Sequence, residues 1–480
     1  MNKRLIVCFL GNMLKIEGLL MFIPFLIGLI YSEPQGYAFL LCGILSIALG
    51  FVLTIKKPRN ENLYAKDGFI LVALGWVISS VVGALPFVIN KDIPHFVDAF
   101  FEMVSGFTTT GSSILTDVEA LSHASLFWRS FAHWIGGMGI LVFVIAFIPI
   151  ASNRSLHIFR AEMPGPIVGK LVSKAKLTAQ ILYIIYMVLT IIEIFFLLAG
   201  KMSLFDSVLT AFGTAGTGGF GIKNSSIAFY DSAYIDGVIT VFMIIFGINF
   251  NVIYLYLLRK FKVAFSNEEV RWYLVIIFGA AILISINILP MYGTFMHAFR
   301  YAIFQVASII TTTGYVTTNY DLWPQFSKSI LFILMFVGAC AGSTGGGMKV
   351  SRIMIFVKHA KQELKKLVHP NSVSTVEIDH ALIDTKTMSN IHAYLVSYTL
   401  IFVASFMVLS FFNLDFESGI AAVTTCLNNV GPGFNVVGPV SNFASLPDLS
   451  KLVLSFDMLA GRLEVFPMLL LFSPQIWRNK

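Results

Sequence analysis

Four short clusters that join glycine to threonine or asparagine recur along the chain. They are Thr108-Thr109-Thr110-Gly111-Ser112, Gly216-Thr217-Gly218-Gly219-Phe220, Thr311-Thr312-Thr313-Gly314-Tyr315 and Asn428-Asn429-Val430-Gly431-Pro432-Gly433. Backbone carbonyl and hydroxyl oxygens are hard ligands, able to replace the hydration shell of an alkali cation. Glycine matters here because successive carbonyls can face one axis only where some residues adopt φ > 0. The clusters are polar but nearly uncharged, which argues against an anion path and against a carboxylate ring for divalent ions. A monovalent cation such as K⁺ remains. With Gly111, Gly218, Gly314 and Gly431 taken as equivalent, the expected ligand set is Thr109, Thr110 and Gly111, then Gly216, Thr217 and Gly218, then Thr312, Thr313 and Gly314, then Asn429, Val430 and Gly431. Each glycine sits among different neighbours, so the ordered stretch should be short and its discrimination between K⁺ and Na⁺ imperfect.

A second glycine-rich run, Gly338-Ala339-Cys340-Ala341-Gly342-Ser343-Thr344-Gly345-Gly346-Gly347, lies inside an apolar segment. An interior glycine costs a helix ~1 kcal/mol relative to alanine, so this span should break and leave a movable loop beside the ion path. A close helix contact through small residues is the competing reading. Arg462 also falls within an apolar segment, where a charge is costly and points to function. It either projects into a cavity below the four clusters, pairs with the glycine-rich run, or pairs with Glu464 or a lower helix. Glu193, Arg129 and His133 fall on no cluster and are read as packing or interface residues.

The elements that must position these residues follow from hydropathy. Of 480 residues, 57% are hydrophobic and 12% charged, too few polar side chains to clothe a soluble globule of this size. About ten stretches reach the ~20 apolar residues that a membrane-spanning helix needs, near 5–30, 37–55, 68–90, 126–150, 179–199, 235–258, 272–291, 329–348, 392–412 and 450–474. Between them lie half-length apolar segments at 96–108, 203–215, 297–311 and 415–428, each ending in one of the clusters. The expected fold is an all-α membrane protein with four pseudo-symmetric repeats of helix, half-helix and helix around one pore. An additional N-terminal helix pair occupies 1–60, and the repeats occupy 61–152, 153–262, 263–362 and 363–480. Irregular backbone at membrane depth cannot face lipid, so the four clusters must meet at an axis.

Most of the 33 Lys and Arg fall at alternate boundaries: the N-terminus, 56–66, 151–178, 259–271, 349–386 and the C-terminus. Short cytoplasmic loops carry such an excess, which puts both termini inside and makes the net charge of +7 an orientation signal rather than a nucleic-acid footprint. Lys3 and Arg4 precede an apolar run too long for a secretory signal, so it reads as a retained helix. Cys8, Cys42, Cys340 and Cys426 have no metal-ligand spacing. Gly216 to Gly221 fits GxGxxG but follows a half-helix where a dinucleotide fingerprint needs a strand, and Met348 stands where a phosphate loop needs Lys. No catalytic motif, organic cofactor site or enzyme activity is indicated.

The phrases Gly106-Phe107-Thr108-Thr109-Thr110-Gly111-Ser112, His133-Trp134-Ile135-Gly136-Gly137-Met138-Gly139, Thr217-Gly218-Gly219-Phe220, Ala341-Gly342-Ser343-Thr344-Gly345-Gly346-Gly347 and Gly461-Arg462-Leu463-Glu464 together resemble the Trk/Ktr/HKT superfamily of cation transporters. The N-terminal pair resembles its bacterial TrkH branch. The resemblance implies K⁺ as the transported ion, a homodimer in the cell inner membrane, and control by a cytoplasmic nucleotide-binding TrkA-type subunit. It also implies filter glycines at Gly111, Gly218, Gly314 and Gly431, a gate at Gly342, Ser343, Thr344, Gly345, Gly346 and Gly347, and an inner-helix arginine at Arg462. In plant relatives a serine at the first filter glycine accompanies Na⁺ transport, whereas all four positions here are glycine. A Na⁺-permissive or ion-coupled carrier, and a non-conducting membrane scaffold, are the alternatives.

Overall fold

The computed structural model describes residues 2–56, 58, 64–139, 175–370, 375–379 and 381–474. The C-terminal part of the expected 126–150 span, most of the basic stretch 151–178 and residues 475–480 lie outside them.

The N-terminal pair forms from Lys3–Leu20 running into Phe22–Ile30, packed against Gly36–Thr54. Glycines face each other along this contact. A Cβ on Gly18 would stand 2.6 Å from the Gly43 carbonyl oxygen, and one on Gly43 would stand 2.8 Å from that of Gly18. Two helices of this apolarity have little hydrophobic reason to associate in lipid, and the close backbone approach supplies dispersion instead.

Four half-helices follow at Phe96–Phe107, Leu204–Gly216, Phe295–Ile310 and Phe416–Asn428, at the lengths that hydropathy indicates. Three begin on a side-chain cap: Ser203 accepts from the Asp206 N–H, Thr294 from His297 and Asp415 from Ser418. Long helices flank them at Ala65–Asn90, Ala175–Ala199, Glu268–Tyr292 and Thr385–Phe411. The last starts on Asp384, whose carboxyl is held below the ordinary carboxylate range by its hydrogen bonds from Thr387.

The helices on the far side of the half-helices are interrupted, the third at the glycine-rich run as expected and the others where continuous spans are expected. His123–Gly137 ends one residue before Met138. The 235–258 stretch is a bent pair, Ala233–Phe246 and Phe250–Leu257, turned by 98°. The 329–348 stretch is helical only over Gln325–Val337 and resumes as Val350–Val368 after the glycine-rich run. The 450–474 stretch breaks after Arg462, with Glu464 and Val465 at φ of 59° and 68°, and resumes as Phe466–Leu471.

Two of these breaks satisfy each other. The Cys340 N–H donates to the Gly247 carbonyl at 3.0 Å, the Phe250 N–H donates to the Gly342 carbonyl at 3.0 Å, and the Thr344 hydroxyl donates to the Phe246 carbonyl at 3.2 Å. Backbone freed by unwinding one span is thereby paired with backbone freed by unwinding the other, as a water-poor interior requires.

The two ends of the bundle are distinct. At one, Lys358 pairs with Glu268 at 2.7 Å, Asn267 bonds Asp379, and the Arg4 guanidinium bonds the Lys56 carbonyl, which gathers the basic segments. At the other, the chain leaving each cluster knits to its neighbours: Val118 to Asn224, Ser226 to Val316, Asp321 to Asn435 and Phe443 to Ser113.

Candidate functional site

Each half-helix ends in the same three-residue turn. Thr109, Thr217, Thr312 and Asn429 adopt left-handed backbone, with φ of 56°, 55°, 58° and 56°. The following N–H reaches back five residues in every repeat: Thr110 to the Ser105 carbonyl, Gly218 to Gly213, Thr313 to Ser308 and Val430 to Thr425, at 2.8–2.9 Å. The third residue is a glycine with positive φ: Gly111 at 85°, Gly219 at 68°, Gly314 at 84° and Gly431 at 97°.

This register corrects the sequence alignment of the second cluster by one residue. Gly219, not Gly218, is the counterpart of Gly111, Gly314 and Gly431, and Gly216 is the last residue of its half-helix rather than part of the loop. Two glycines in succession leave the choice open in sequence; the hydrogen-bond pattern decides it.

The loops close into a ring. A Cβ on Gly111 would lie less than 3.0 Å from the Gly218 carbonyl oxygen, one on Gly219 from that of Thr313, one on Gly314 from that of Val430, and one on Gly431 from that of Thr110. Each glycine thus abuts the carbonyl that precedes the next loop's glycine, and the fourth loop returns to the first. A cavity of about 240 Å³ opens above the ring, lined by Gly111, Gly219, Gly314 and Gly431 together. The C-terminal ends of four half-helices converge here, and their partial negative charges favour a cation at the meeting point. Buried oxygens stand ready: Thr109 Oγ1 and Asn429 Oδ1 have no hydrogen-bond partner among the described residues. The Thr110 and Thr313 hydroxyls pair with those of Thr108 and Thr311, each at 2.8 Å.

Residues read as packing brace this ring from behind. Arg129 and Glu102 form a fully buried pair at 2.7 Å, and both carboxylate oxygens of Glu102 hold the segment after the first cluster through Ser113 and Ile114. The Arg129 guanidinium also stacks on the Phe220 ring at 4.1 Å. His133 ties the first half-helix to the second loop, its Nδ1 on the Gly106 carbonyl at 2.7 Å and its Nε2 accepting from the Phe220 N–H at 3.3 Å. Glu102 escaped sequence notice, although a carboxylate inside an apolar half-helix with an intramembrane arginine nearby is a signal for a buried pair. Glu193 is fully buried behind the second half-helix.

Directly against the ring on the side away from the cavity sits the glycine-rich run. The Gly346 N–H donates to Thr312 Oγ1 at 2.6 Å, a Cβ on Gly345 would be 2.8 Å from the Thr311 carbonyl oxygen, and one on Gly346 would be 2.5 Å from that of Asn428. Gly338, Gly342 and Gly347 take φ of 72°, 71° and 76°, which accounts for the density of glycine. The Ser343 hydroxyl closes a local turn on the Cys340 carbonyl at 2.7 Å. Arg462 pairs with this run: its Nη1 donates to the Thr344 carbonyl at 2.7 Å and its Nη2 to the Gly136 and Gly137 carbonyls at 2.6 and 2.7 Å. Glu464 binds Arg352 instead. Lys349, buried and bonded to the Gly345 carbonyl, was not anticipated. No group of three or more metal-ligating His, Cys, Asp or Glu occurs among the described residues.

A mostly helical membrane body with four half-helices converging on a ring of glycine-bearing loops defines the class of pseudo-fourfold membrane transport proteins. The family model for TrkH, described as a cation transport protein, matches residues 35–479, and the chain belongs to that family. It is 36% identical to the Trk system potassium uptake protein TrkH of Escherichia coli K12 over the full length of both chains. It is 32% identical to the Trk system potassium uptake protein TrkG of the same strain, covering 100% of this chain and 99% of the relative. The crystal structure of the potassium transporter TrkH from Vibrio parahaemolyticus superposes with a TM-score of 0.89 at 32% identity, covering both chains completely.

Proposed function

We propose that the chain carries K⁺ into the cell through a filter formed by Thr109–Gly111, Thr217–Gly219, Thr312–Gly314 and Asn429–Gly431, with residues 342–347 and Arg462 as the gate beneath it. The observation that carries this reading is the closed ring, in which equivalent carbonyls of four loops stand at equivalent places around one axis. Named relatives are potassium uptake proteins, which favours K⁺ over Na⁺. Membrane potential supplies the drive, ~2.3 kcal/mol per charge per 100 mV. The glycine-rich run blocks the path in this conformation, pinned between filter loops three and four and the guanidinium of Arg462.

The clustering of basic segments at the end opposite the cavity supports a cytoplasmic placement of that end and of both termini, in the inner membrane. The exposed face of Val350–Val368, with Lys361 and Lys365, then offers a soluble TrkA-type regulator a docking surface, and a second copy of the chain completes a homodimer. Uptake of Rb⁺ by proteoliposomes containing the purified chain, with Na⁺ as competitor, tests the central claim. Saturable Rb⁺ influx that excess K⁺ abolishes and excess Na⁺ reduces only weakly is expected; equal competition by Na⁺ removes the K⁺ assignment.

A further inference from the structure

The two flanks of the proposed gate segment, 342–347, are held by one oxygen atom. Glu269 Oε1 accepts from the Ala341 N–H at 2.7 Å and from the Ser351 N–H at 3.0 Å, so that a single carboxylate oxygen brackets residues 342–350. Glu269 is only 5% exposed and stands in the first turn of Glu268–Tyr292, a helix capped by Asn267 and continuous through the membrane. That helix gives the clamp a rigid base. Its neighbour Glu268 pairs with Lys358, which ties the flank of Val350–Val368 to the same helix end.

Neither N–H has another partner among the described residues. Ser351 lies in the first turn of Val350–Val368, where backbone donors are orphaned by helix geometry, and Ala341 lies in irregular chain. Charge-assisted bonds to such donors are the strong kind, and losing them leaves buried N–H groups unpaired.

We propose that Glu269 is the positioning residue of the gate: its carboxylate holds the run closed by joining the run's entrance at Ala341 to the start of the exit helix at Ser351. The proposal rests on reading 342–347 as the gate. It also gives that gate a handle. Displacing Val350–Val368 from outside the membrane draws Ser351 off the carboxylate, and the clamp loses the geometry that retains Ala341.

Cys340 is a built-in reporter, fully buried beside Ala341, and Cys426, fully buried behind the fourth filter loop, is an internal control. N-ethylmaleimide modification of both thiols is followed by mass spectrometry in the full chain in liposomes, alongside basal Rb⁺ efflux without any regulator. Glu269→Ala should raise Cys340 modification about a hundredfold and Glu269→Gln, which keeps an acceptor oxygen, only about fivefold, with Cys426 unchanged in both. Rb⁺ efflux should rise in the same order. Unaltered Cys340 modification in Glu269→Gln and Glu269→Ala overturns the clamp, as does a parallel rise at Cys426, which marks general loosening. Exposure of Cys340 with unchanged efflux upholds the clamp and overturns the gate. Should Glu269→Ala fail to assemble, the fivefold shift in Glu269→Gln decides alone.

Discussion

Glycine at the third position of each loop serves two needs, a left-handed backbone and room for a neighbouring carbonyl. A serine at Gly314 strains φ and presses on the Val430 oxygen, so Gly314→Ser should lower the ratio of Rb⁺ to Na⁺ permeation about tenfold, measured by competitive flux. The corrected register makes a sharper claim about the second loop. A methyl group on Gly219 meets backbone, whereas one on Gly218 meets the His133 ring. Gly218→Ala should therefore couple to His133→Ala in a double-mutant cycle of Rb⁺ uptake, and Gly219→Ala should show no such coupling. Behind the ring, Arg129→Leu leaves Glu102 buried and uncompensated, at a cost of about 3–5 kcal/mol. Thermal melting in detergent should show that loss, and adding Glu102→Leu should recover much of it. The sequence made the clusters visible because Thr, Asn and Gly are conspicuous in apolar surroundings. It left Glu269 and Lys349 hidden, because their importance lies in contacts with residues 72 and 4 positions away, one across the fold and one within a loop of irregular shape.

Half-helices were legible as elements because 12 to 16 residues are too few to cross a bilayer and no turn chemistry explains them otherwise. The helices that follow them were less so. Hydropathy sees 235–258, 329–348 and 450–474 as continuous, yet each breaks: the first two supply each other's backbone partners, and the third closes locally, the Val465 N–H on the Ala460 carbonyl. Only the glycine-rich one announces itself. Gly247-Ile248-Asn249 holds a single glycine and unwinds because the Gly247 carbonyl has a partner in Cys340. At this scale the gate is tested by Arg462→Ala, which removes donors from the Thr344, Gly136 and Gly137 carbonyls at once. Basal Rb⁺ efflux should rise several-fold in Arg462→Ala and in a variant shortened within 342–347. Constant or reduced efflux in both assigns these residues a purely structural part.

For the molecule as a whole, fourfold repetition and the meeting of the four loops at one axis were readable from spacing and hydropathy, whereas the carbonyl that each glycine meets was not, because no repeat contains the contact that completes the ring. Gly431 reaches back to Thr110 across 321 positions of sequence. The exchanged hydrogen bonds between the unwound second and third repeats carry a kinetic consequence. Gly247 and Phe250 cannot release Cys340 and Gly342 into hydrocarbon; water must arrive to take their places. If the proposed gate opens by parting this junction, opening is a wetting event, limited by how readily solvent enters it. A large impermeant solute that lowers water activity on the side of Val350–Val368 should then slow activation of Rb⁺ flux while leaving the conductance of pathways already open untouched, so that a gate seated at this joint would read the dryness of its surroundings.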